Sequence, residues 1–310
     1  MYLLKDKVIM ILVGMLLIHL KVFGQFDQFQ LTDYDIASNA VINPAFSGND
    51  EALSITLSGK KKWIGFDGAP ESQVLAIHTP LNSERIGLGL QLHRVGYGIQ
   101  QDLSFIGSYA YRIKFKRGTL SLGISFNLSQ SEHGWQDVVA SDPDDESISF
   151  NSESIFSIRF GIGISYRSGN FLTGLSFMNL FSNNMNINLD SDNSSNYTIP
   201  NQVFYSLVYD IRKIDNIKIS PSILLRYNSA TGLGANFNTL ADFYKTLGVG
   251  VSVNTEGTVT SMLRYWINNQ ATVAWLYSFE TNPALNQLGG SHEIVLKYVF
   301  NYELIAKNPR

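Results

Sequence analysis

Several kinds of residue are scarce or absent in this sequence of 310 residues. Cysteine is absent, and charged residues make up only 16%, whereas a soluble protein usually carries about 25%. The missing cysteines exclude a disulfide scaffold, thiolate zinc sites and a cysteine nucleophile. A formal net charge of -3 provides no basic excess to neutralise phosphates, so nucleic acid is not expected as a partner.

Long apolar runs are also missing, because no stretch after the first residues approaches about 18 consecutive apolar residues, as a helical membrane span would. Near the N-terminus, Lys5 and Lys7 precede an apolar run, 8–20, that is shorter than the roughly 20 residues of a membrane helix. A charged start, a short apolar run and small residues at its end predict a signal peptide over residues 1–24, cut after Gly24. No cysteine follows that point, which excludes a lipid-anchored lipoprotein.

The rest of the sequence repeats an alternation of apolar with polar or small residues at period two. Residues 120–128 place leucine, isoleucine or phenylalanine at every even position and serine, glycine or asparagine at every odd one. Residues 156–166 follow the same rule, with Arg159 at one of the polar positions. Successive side chains of a strand point to opposite faces, so each such segment is predicted to be a strand with one apolar face.

The lengths of the connections favour a membrane barrel over a secreted soluble β protein, which the alternation alone also allows. Long and short connections alternate along about 14 predicted strands, as in outer-membrane barrels with short periplasmic turns and longer external loops. The predicted fold class is therefore all-β, a transmembrane antiparallel β-barrel of about 14 strands over residues 52–300. The predicted location is the bacterial outer membrane.

Two segments flank the predicted barrel. Residues 25–51 precede the first strand and are rich in apolar side chains such as Phe29, Ile42 and Phe46. Glycine and serine are frequent on the predicted inner faces, so a barrel of this size would have room in its lumen. We predict that residues 25–51 either enter the lumen as a plug or pack at the periplasmic rim, and that residues 301–310 form a periplasmic tail.

Motifs of known enzymes are missing from the sequence. It has no nucleophile elbow, phosphate-binding loop, zinc-protease helix or dinucleotide fingerprint, so neither catalysis nor a cofactor is expected. Asp142, Asp144, Asp145 and Glu146 cluster in a predicted external loop. Their carboxylates could form a weak cation site, although their spacing does not match an EF-hand loop. A solvated acidic loop is the alternative.

Charged residues also mark the first and last predicted strands. Lys60, Lys61 and Lys62 end the first strand beside the predicted outer surface, where they could pair with lipopolysaccharide phosphates or simply be solvated. Glu293 and Lys297 share one face of the last strand, which we predict to be the inner face, because a lysine facing lipid near the midplane would cost about 2–4 kcal/mol.

Several sequence blocks occur in an order that is recognisable. Residues 42–48 read INPAFSG, residues 62–73 read KWIGFDGAPESQ, and residues 290–294 read GSHEI at the start of the last strand. These blocks together resemble the PorP/SprF family of outer-membrane proteins of the type IX secretion system. The candidate site residues in them are Asn43, Pro44, Gly48, Trp63, Gly65, Asp67, Gly68, Pro70, Ser291, His292 and Glu293. They could be structural, since glycine and proline suit turns, or could bind partners.

The resemblance implies a non-enzymatic barrel that supports secretion or surface anchoring of large cargo, such as gliding adhesins. The partners that it implies are the C-terminal signal domain of the cargo, on the extracellular side, and periplasmic ring components of the secretion machine. Outer-membrane lipid and lipopolysaccharide would surround the wall. The alternative function is a channel for small or hydrophobic solutes.

Overall fold

The structure is a computed structural model, and it describes residues 40–81, 85–134, 153–186, 200–214 and 216–300. Three predicted features lie outside the described residues, namely the signal peptide, the acidic cluster at residues 142–146 and the C-terminal tail.

Strands dominate the described part of the chain. They are β1 (Ser54–Lys61), β2 (Glu71–Pro80), β3 (Ile86–Tyr97), β4 (Gln100–Phe115), β5 (Gly118–His133), β6 (Glu153–Ser168), β7 (Phe171–Asn186), β8 (Gln202–Tyr209), β9 (Ile211–Ile214), β10 (Ile217–Asn228), β11 (Gly232–Phe243), β12 (Leu247–Asn254), β13 (Thr258–Trp266), β14 (Ala271–Glu280) and β15 (Ser291–Val299). A 3₁₀ helix (Pro44–Phe46) precedes β1, and a short helix α1 (Pro283–Asn286) lies between β14 and β15. Within these ranges, no helix is long and apolar enough to cross a bilayer.

The strands form one closed antiparallel ring. Strands that follow each other in sequence also pair in the sheet, and β15 returns to pair with β1 along its whole length. The short strand β9 continues β8 after a break at Asp210, and both pair with β10. The ring therefore has 14 strand positions, which confirms the predicted barrel. Because closure pairs the backbone polar groups between strands, such a ring can stand in lipid.

The distribution of apolar and polar side chains on the wall is the reverse of that in a soluble protein. On β5, Leu122 and Ile124 expose 44% and 59% of their surfaces, whereas Ser121 and Ser125, on the alternate positions, expose 5% and 7%. The same exposed apolar face recurs on β3, β4, β6 and β12. An apolar outer belt around a polar interior is the arrangement of a membrane barrel. It argues against the secreted soluble protein that the alternation alone had allowed.

The connections sort by side of the barrel, as predicted. At one rim the strands are joined by short turns, at residues 116–117, 169–170, 244–246 and 267–270. At the other rim the connections 62–70, 134–152, 187–201 and 281–290 are long, although those at 98–99, 229–231 and 255–257 are as short as the turns. Long loops face outward in outer-membrane barrels, so we call the two sides the periplasmic rim and the external rim.

Candidate functional site

A compact turn precedes β1, and we call residues Asn43–Gly48 the lumen turn. Asn43 caps the 3₁₀ helix, because its Oδ1 accepts a hydrogen bond from the Ala45 N–H at 2.9 Å. Pro44 begins the helix at a position where a backbone N–H would find no partner within the helix. Gly48 follows with φ +73°, a conformation that favours glycine. The local sequence therefore specifies this turn.

Hydrogen bonds hold the lumen turn against the inner wall. The Asn43 Nδ2 donates to the carbonyl oxygens of Ile164 on β6 and Leu175 on β7, at 3.2 and 3.3 Å. On β4, the Arg112 guanidinium donates to the Ser47 carbonyl at 2.8 Å. Asn43 thus both shapes the turn and attaches it to two strands.

The residues around the turn reach across the whole lumen. Val41 packs in a cluster with Val74 on β2, whereas Ile42 packs in a cluster that includes Leu224 on β10. In a ring of 14 strand positions, β2 and β10 lie half a ring apart. The Phe46 ring is buried in a third cluster, against β7. The segment therefore spans the lumen from wall to wall.

Glycines make room for the lumen turn, and we call Gly87, Gly123, Gly163 and Gly174 the glycine seat. They lie on β3, β5, β6 and β7. A Cβ at Gly163 would lie 2.0 Å from the Asn43 Oδ1, and one at Gly123 would lie 2.2 Å from the Ala45 nitrogen. Frequent glycine on the inner faces is evident from the sequence, but these four glycines are not distinguished there from the others. Their signal was glycine repeated at inward positions of four strands.

An ion pair fixes the end of the segment to the last strand. The Asp50 Oδ2 lies 2.8 Å from the Lys297 Nζ and 3.5 Å from the His78 Nε2. Burial alone would raise the pKa of the Asp50 carboxyl, but Lys297 and His78 together lower that pKa to about 2. Because that pKa lies far below 7, the Asp50 carboxyl is charged at neutral pH. Asp50 precedes β1 and lies outside the membrane-spanning strands.

We expect Asp50→Asn to loosen the lumen turn. Loss of an ion pair of about 1 kcal/mol should raise the hydrogen-exchange rate of the amides of residues 42–48 about fivefold, as measured by mass spectrometry. Glu256→Gln, which removes an ion pair at the external rim, is the matched control and should leave that rate unchanged. Since the pKa of Asp50 is lowered on folding, its contribution is present above about pH 4 and is lost only as the pH falls toward 2. Equal exchange in the wild type and in Asp50→Asn would contradict the role of this pair.

The connection between β1 and β2 forms a second feature, and we call residues 62–70 the external cap. Trp63 anchors it, with 8% of its surface exposed and an edge-on ring contact to Phe66 at 6.2 Å. Ile64 and Phe66 expose 50% and 49% of their surfaces. The cap therefore presents apolar side chains on a buried aromatic anchor.

The backbone of the external cap is tied to its neighbours. The Ile64 N–H donates to the Gly290 carbonyl at 3.0 Å, and the Gly98 N–H donates to the Gly68 carbonyl at 2.9 Å. Gly65 and Gly68 have φ of +96° and +72°, which favour glycine. The Pro70 carbonyl closes the cap by accepting from the Lys62 N–H, whereas the Asp67 side chain is exposed.

The candidate residues at the start of β15 divide between the two faces of the wall. Ser291 and Glu293 are buried, and the Glu293 Oε1 accepts from the Ser58 hydroxyl at 2.8 Å. Lys60 is also buried and lies in register with Glu293. Lys60 thus lies at the external end of β1, as predicted, but the prediction that it is solvated or pairs with lipopolysaccharide phosphates is wrong, because its side chain faces inward and is buried. His292 lies on the outer face, where its ring stacks on Trp275.

The three sequence blocks therefore lie in two places. The structure brings the external cap and the start of β15 together at the external rim, whereas Asn43, Pro44 and Gly48 lie inside the lumen. Between the two, a cavity of about 50 Å³ is lined by Val41, His93, Asn127 and Arg159 among other residues. It has room for a few water molecules, far below the roughly 300 Å³ of a small-molecule pocket. Within the described residues, no cluster of His, Asp or Glu could hold a metal ion.

Solved outer-membrane barrels share this fold at low sequence identity. The CymD monoaromatic hydrocarbon channel superposes with a TM-score of 0.52 at 12% identity, covering 86% of this chain and 93% of its own. The Ralstonia pickettii toluene transporter TbuX gives 0.49 at 12%, covering 86% and 95%, and Acinetobacter baumannii Omp33 gives 0.47 at 9%, covering 81% and 98%. No curated protein matches the sequence. The likeness to CymD concerns the fold alone.

A protein-family comparison accounts for nearly the whole chain. The family described as type IX secretion system membrane protein PorP/SprF matches residues 24–298, a range that includes the lumen turn, the external cap and all the strands but the last residue of β15. The predicted resemblance and the predicted outer-membrane location are both confirmed. With its closed barrel, apolar outer belt and three sequence blocks, the chain belongs to the PorP/SprF family of type IX secretion system membrane proteins.

Proposed function

We propose that this protein is a non-enzymatic outer-membrane barrel that supports secretion or surface anchoring of large cargo, such as a gliding adhesin. It does so by binding the C-terminal signal domain of the cargo at its external rim. The observation that carries the proposal is the filled lumen, because the segment 40–50 spans it from β2 to β10. A large cargo cannot share that space, so the barrel acts through its rims.

The external cap is the proposed contact for the cargo domain. Exposed apolar and aromatic side chains at a rigid position are the usual anchors of protein interfaces, since little conformational entropy is lost when they bind. Ile64 and Phe66 meet both conditions, because hydrogen bonds to Gly290 and Gly68 fix the backbone around them. Asp67 adds a charge beside them.

The periplasmic rim is the proposed contact for the ring components of the secretion machine. Its short turns carry exposed Arg117, Tyr244 and Lys245. Tyr244 and Lys245 both have positive φ, as a tight hairpin turn requires, which presents their side chains at a defined position. In this proposal, residues 25–51 act as the plug that separates the two rims.

The double variant Ile64→Ser, Phe66→Ser tests the cargo contact. We expect affinity purification from native membranes to recover about tenfold less cargo domain, as for the loss of an interface anchor, with unchanged recovery of ring components. Tyr244→Ser is the matched control, because it removes an exposed aromatic from the opposite rim, and cargo recovery should be unaffected. Full cargo recovery with the double variant would reject the external cap as the binding surface.

A channel for small or hydrophobic solutes is the second candidate. The fold likeness to CymD, a monoaromatic hydrocarbon channel, is the observation that favours it. Planar-bilayer recordings of the purified wild-type barrel separate the two functions. A silent barrel that retains the cargo domain supports the secretion role, whereas solute-dependent permeation supports the channel.

A further inference from the structure

We propose a binding site for the phosphate of lipopolysaccharide on the outer wall, made by Lys61 and His292 where β1 meets β15 at the external rim. It lies on the outer face of the wall, on the opposite side of the strands from the lumen turn, and it borders the external cap. The ligand is the phosphorylated headgroup of lipid A in the outer leaflet.

The register of the closing strand pair places the two side chains together. Lys61 lies directly opposite His292 across the β1 and β15 ladder. The alternate positions, Lys60 and Glu293, face the lumen and are buried, so Lys61 and His292 face outward. Cross-strand neighbours on one face have Cβ atoms about 5 Å apart, which lets both side chains reach one phosphate.

A hydrogen bond to Trp275 sets the tautomer of His292. The Trp275 indole Nε1 lies 3.1 Å from the His292 Nδ1. An indole nitrogen can only donate, so the Nδ1 is the acceptor and the proton of the neutral ring lies on the Nε2. The stacked indole holds the imidazole at a centroid distance of 5.7 Å. The His292 Nε2–H thus remains a donor on the outer wall, on the strand that pairs with that of Lys61.

The depth of the pair in the membrane matches that of lipid phosphates. Ile294 and Leu296, further along β15 toward the periplasmic rim, are exposed and apolar, as lipid-tail contacts are. Trp275 and Tyr277 surround His292, and aromatic side chains mark the level of the headgroups. A cation at that level attracts anionic headgroups.

Across the next ladder, the carboxylate of Glu71 on β2 is the neighbour that could neutralise Lys61. Glu71 lies in register with Lys61 and is exposed. Among the described residues, no ion pair joins the two side chains. Lys62, next in the chain, adds a second cation, which lies over the Trp63 ring at 5.6 Å. Because no ion pair joins it to Glu71, the Lys61 ammonium is available to bind an anion.

Native mass spectrometry of the detergent-purified barrel with diphosphoryl lipid A tests the proposal. We expect Lys61→Ala to weaken lipid A binding about fivefold, as for one cation at a headgroup, and Lys61→Arg to restore it. His292→Phe keeps a ring on Trp275 but loses the donor, and should weaken binding about tenfold. Lys116→Ala removes an equal charge from an exposed position at the periplasmic rim, in the turn between β4 and β5, and should bind as the wild type does.

Three results would overturn the proposal. The first is wild-type lipid A binding by Lys61→Ala and His292→Phe. The second is equal binding of dephosphorylated lipid A to the wild-type barrel. The third is displacement of lipid A by millimolar inorganic phosphate, which would indicate a site for free anions. Heat-modifiable gel migration checks that each variant is folded, and the Lys61→Ala and Lys61→Arg pair decides the outcome if His292→Phe does not fold.

Discussion

Gly163→Val is expected to open the lumen of the barrel. A Cβ at Gly163 would lie 2.0 Å from the Asn43 Oδ1, and valine adds two further methyl groups. A packed wall cannot absorb that overlap, so the lumen turn has to leave its seat. Asn43 then loses its hydrogen bonds to Ile164 and Leu175.

Planar-bilayer conductance measures this opening. We expect purified Gly163→Val to conduct in discrete steps, at least about tenfold above the wild type, because a ring of this many strands has an aqueous lumen once it is not filled. Gly107→Val is the matched control, since Gly107 lies on the outer face of β4 and a Cβ there would meet nothing within 4 Å. It should be as silent as the wild type.

Two further measurements keep this prediction testable. Heat-modifiable gel migration establishes that Gly163→Val is still a folded barrel. Asn43→Ala, which removes the wall contacts without adding volume, should produce a smaller and more intermittent conductance. A folded Gly163→Val barrel with no conductance would contradict the view that the lumen turn closes the lumen.

Asp242→Asn is expected to lower the free energy of unfolding of the barrel by about 3–5 kcal/mol, the usual result of breaking a buried ion pair. The Arg264 guanidinium donates to the Asp242 Oδ1 at 2.5 Å, and the two side chains expose 7% and 6% of their surfaces. Lys218 lies 3.6 Å from the other carboxylate oxygen. Without the carboxylate charge, two cations would lie close together in the wall.

The packing around this pair shows how closely the wall is built. Asp242 is on β11 and Arg264 is on β13, and the residue between them on β12 is Gly248. A Cβ at Gly248 would lie 2.7 Å from the Asp242 Oδ1. The ion pair thus crosses an intervening strand at a position where that strand has no side chain, which leaves little space for water to replace the lost charge.

Urea unfolding from lipid vesicles checks the prediction for Asp242→Asn. Glu256→Gln is the control, because it breaks an Arg226 pair of the same length whose side chains are 18% and 28% exposed, and such a pair is worth about 0.2–1 kcal/mol. If Asp242→Asn shifts the unfolding midpoint no more than Glu256→Gln does, the buried pair does not stabilise the wall.

The strands of the wall and the family could be predicted from the sequence because both depend on the order of residues over short stretches of the chain. Alternation at period two, as in residues 120–128, reports which side chains share a face, and the side of a strand is set by its own backbone. The order of long and short connections then indicated a membrane barrel. The three sequence blocks indicated the family directly, since they are read from the chain without any fold.

The contacts that shape the site depend on closure of the ring and could not be read from the chain. Asn43 donates a hydrogen bond to Ile164, 121 positions later in the sequence. The glycine seat makes room for the lumen turn only when its four strands surround that turn. Alternation says that Lys60 and Lys61 face opposite sides, but the pairing of β1 with β15 decides that Lys60 meets Glu293 inside and Lys61 meets His292 outside. The sequence alone thus determined the positions of the strands and the membrane location of the barrel. The tertiary structure decided what fills the lumen, because only closure brings residues distant in sequence within bonding distance.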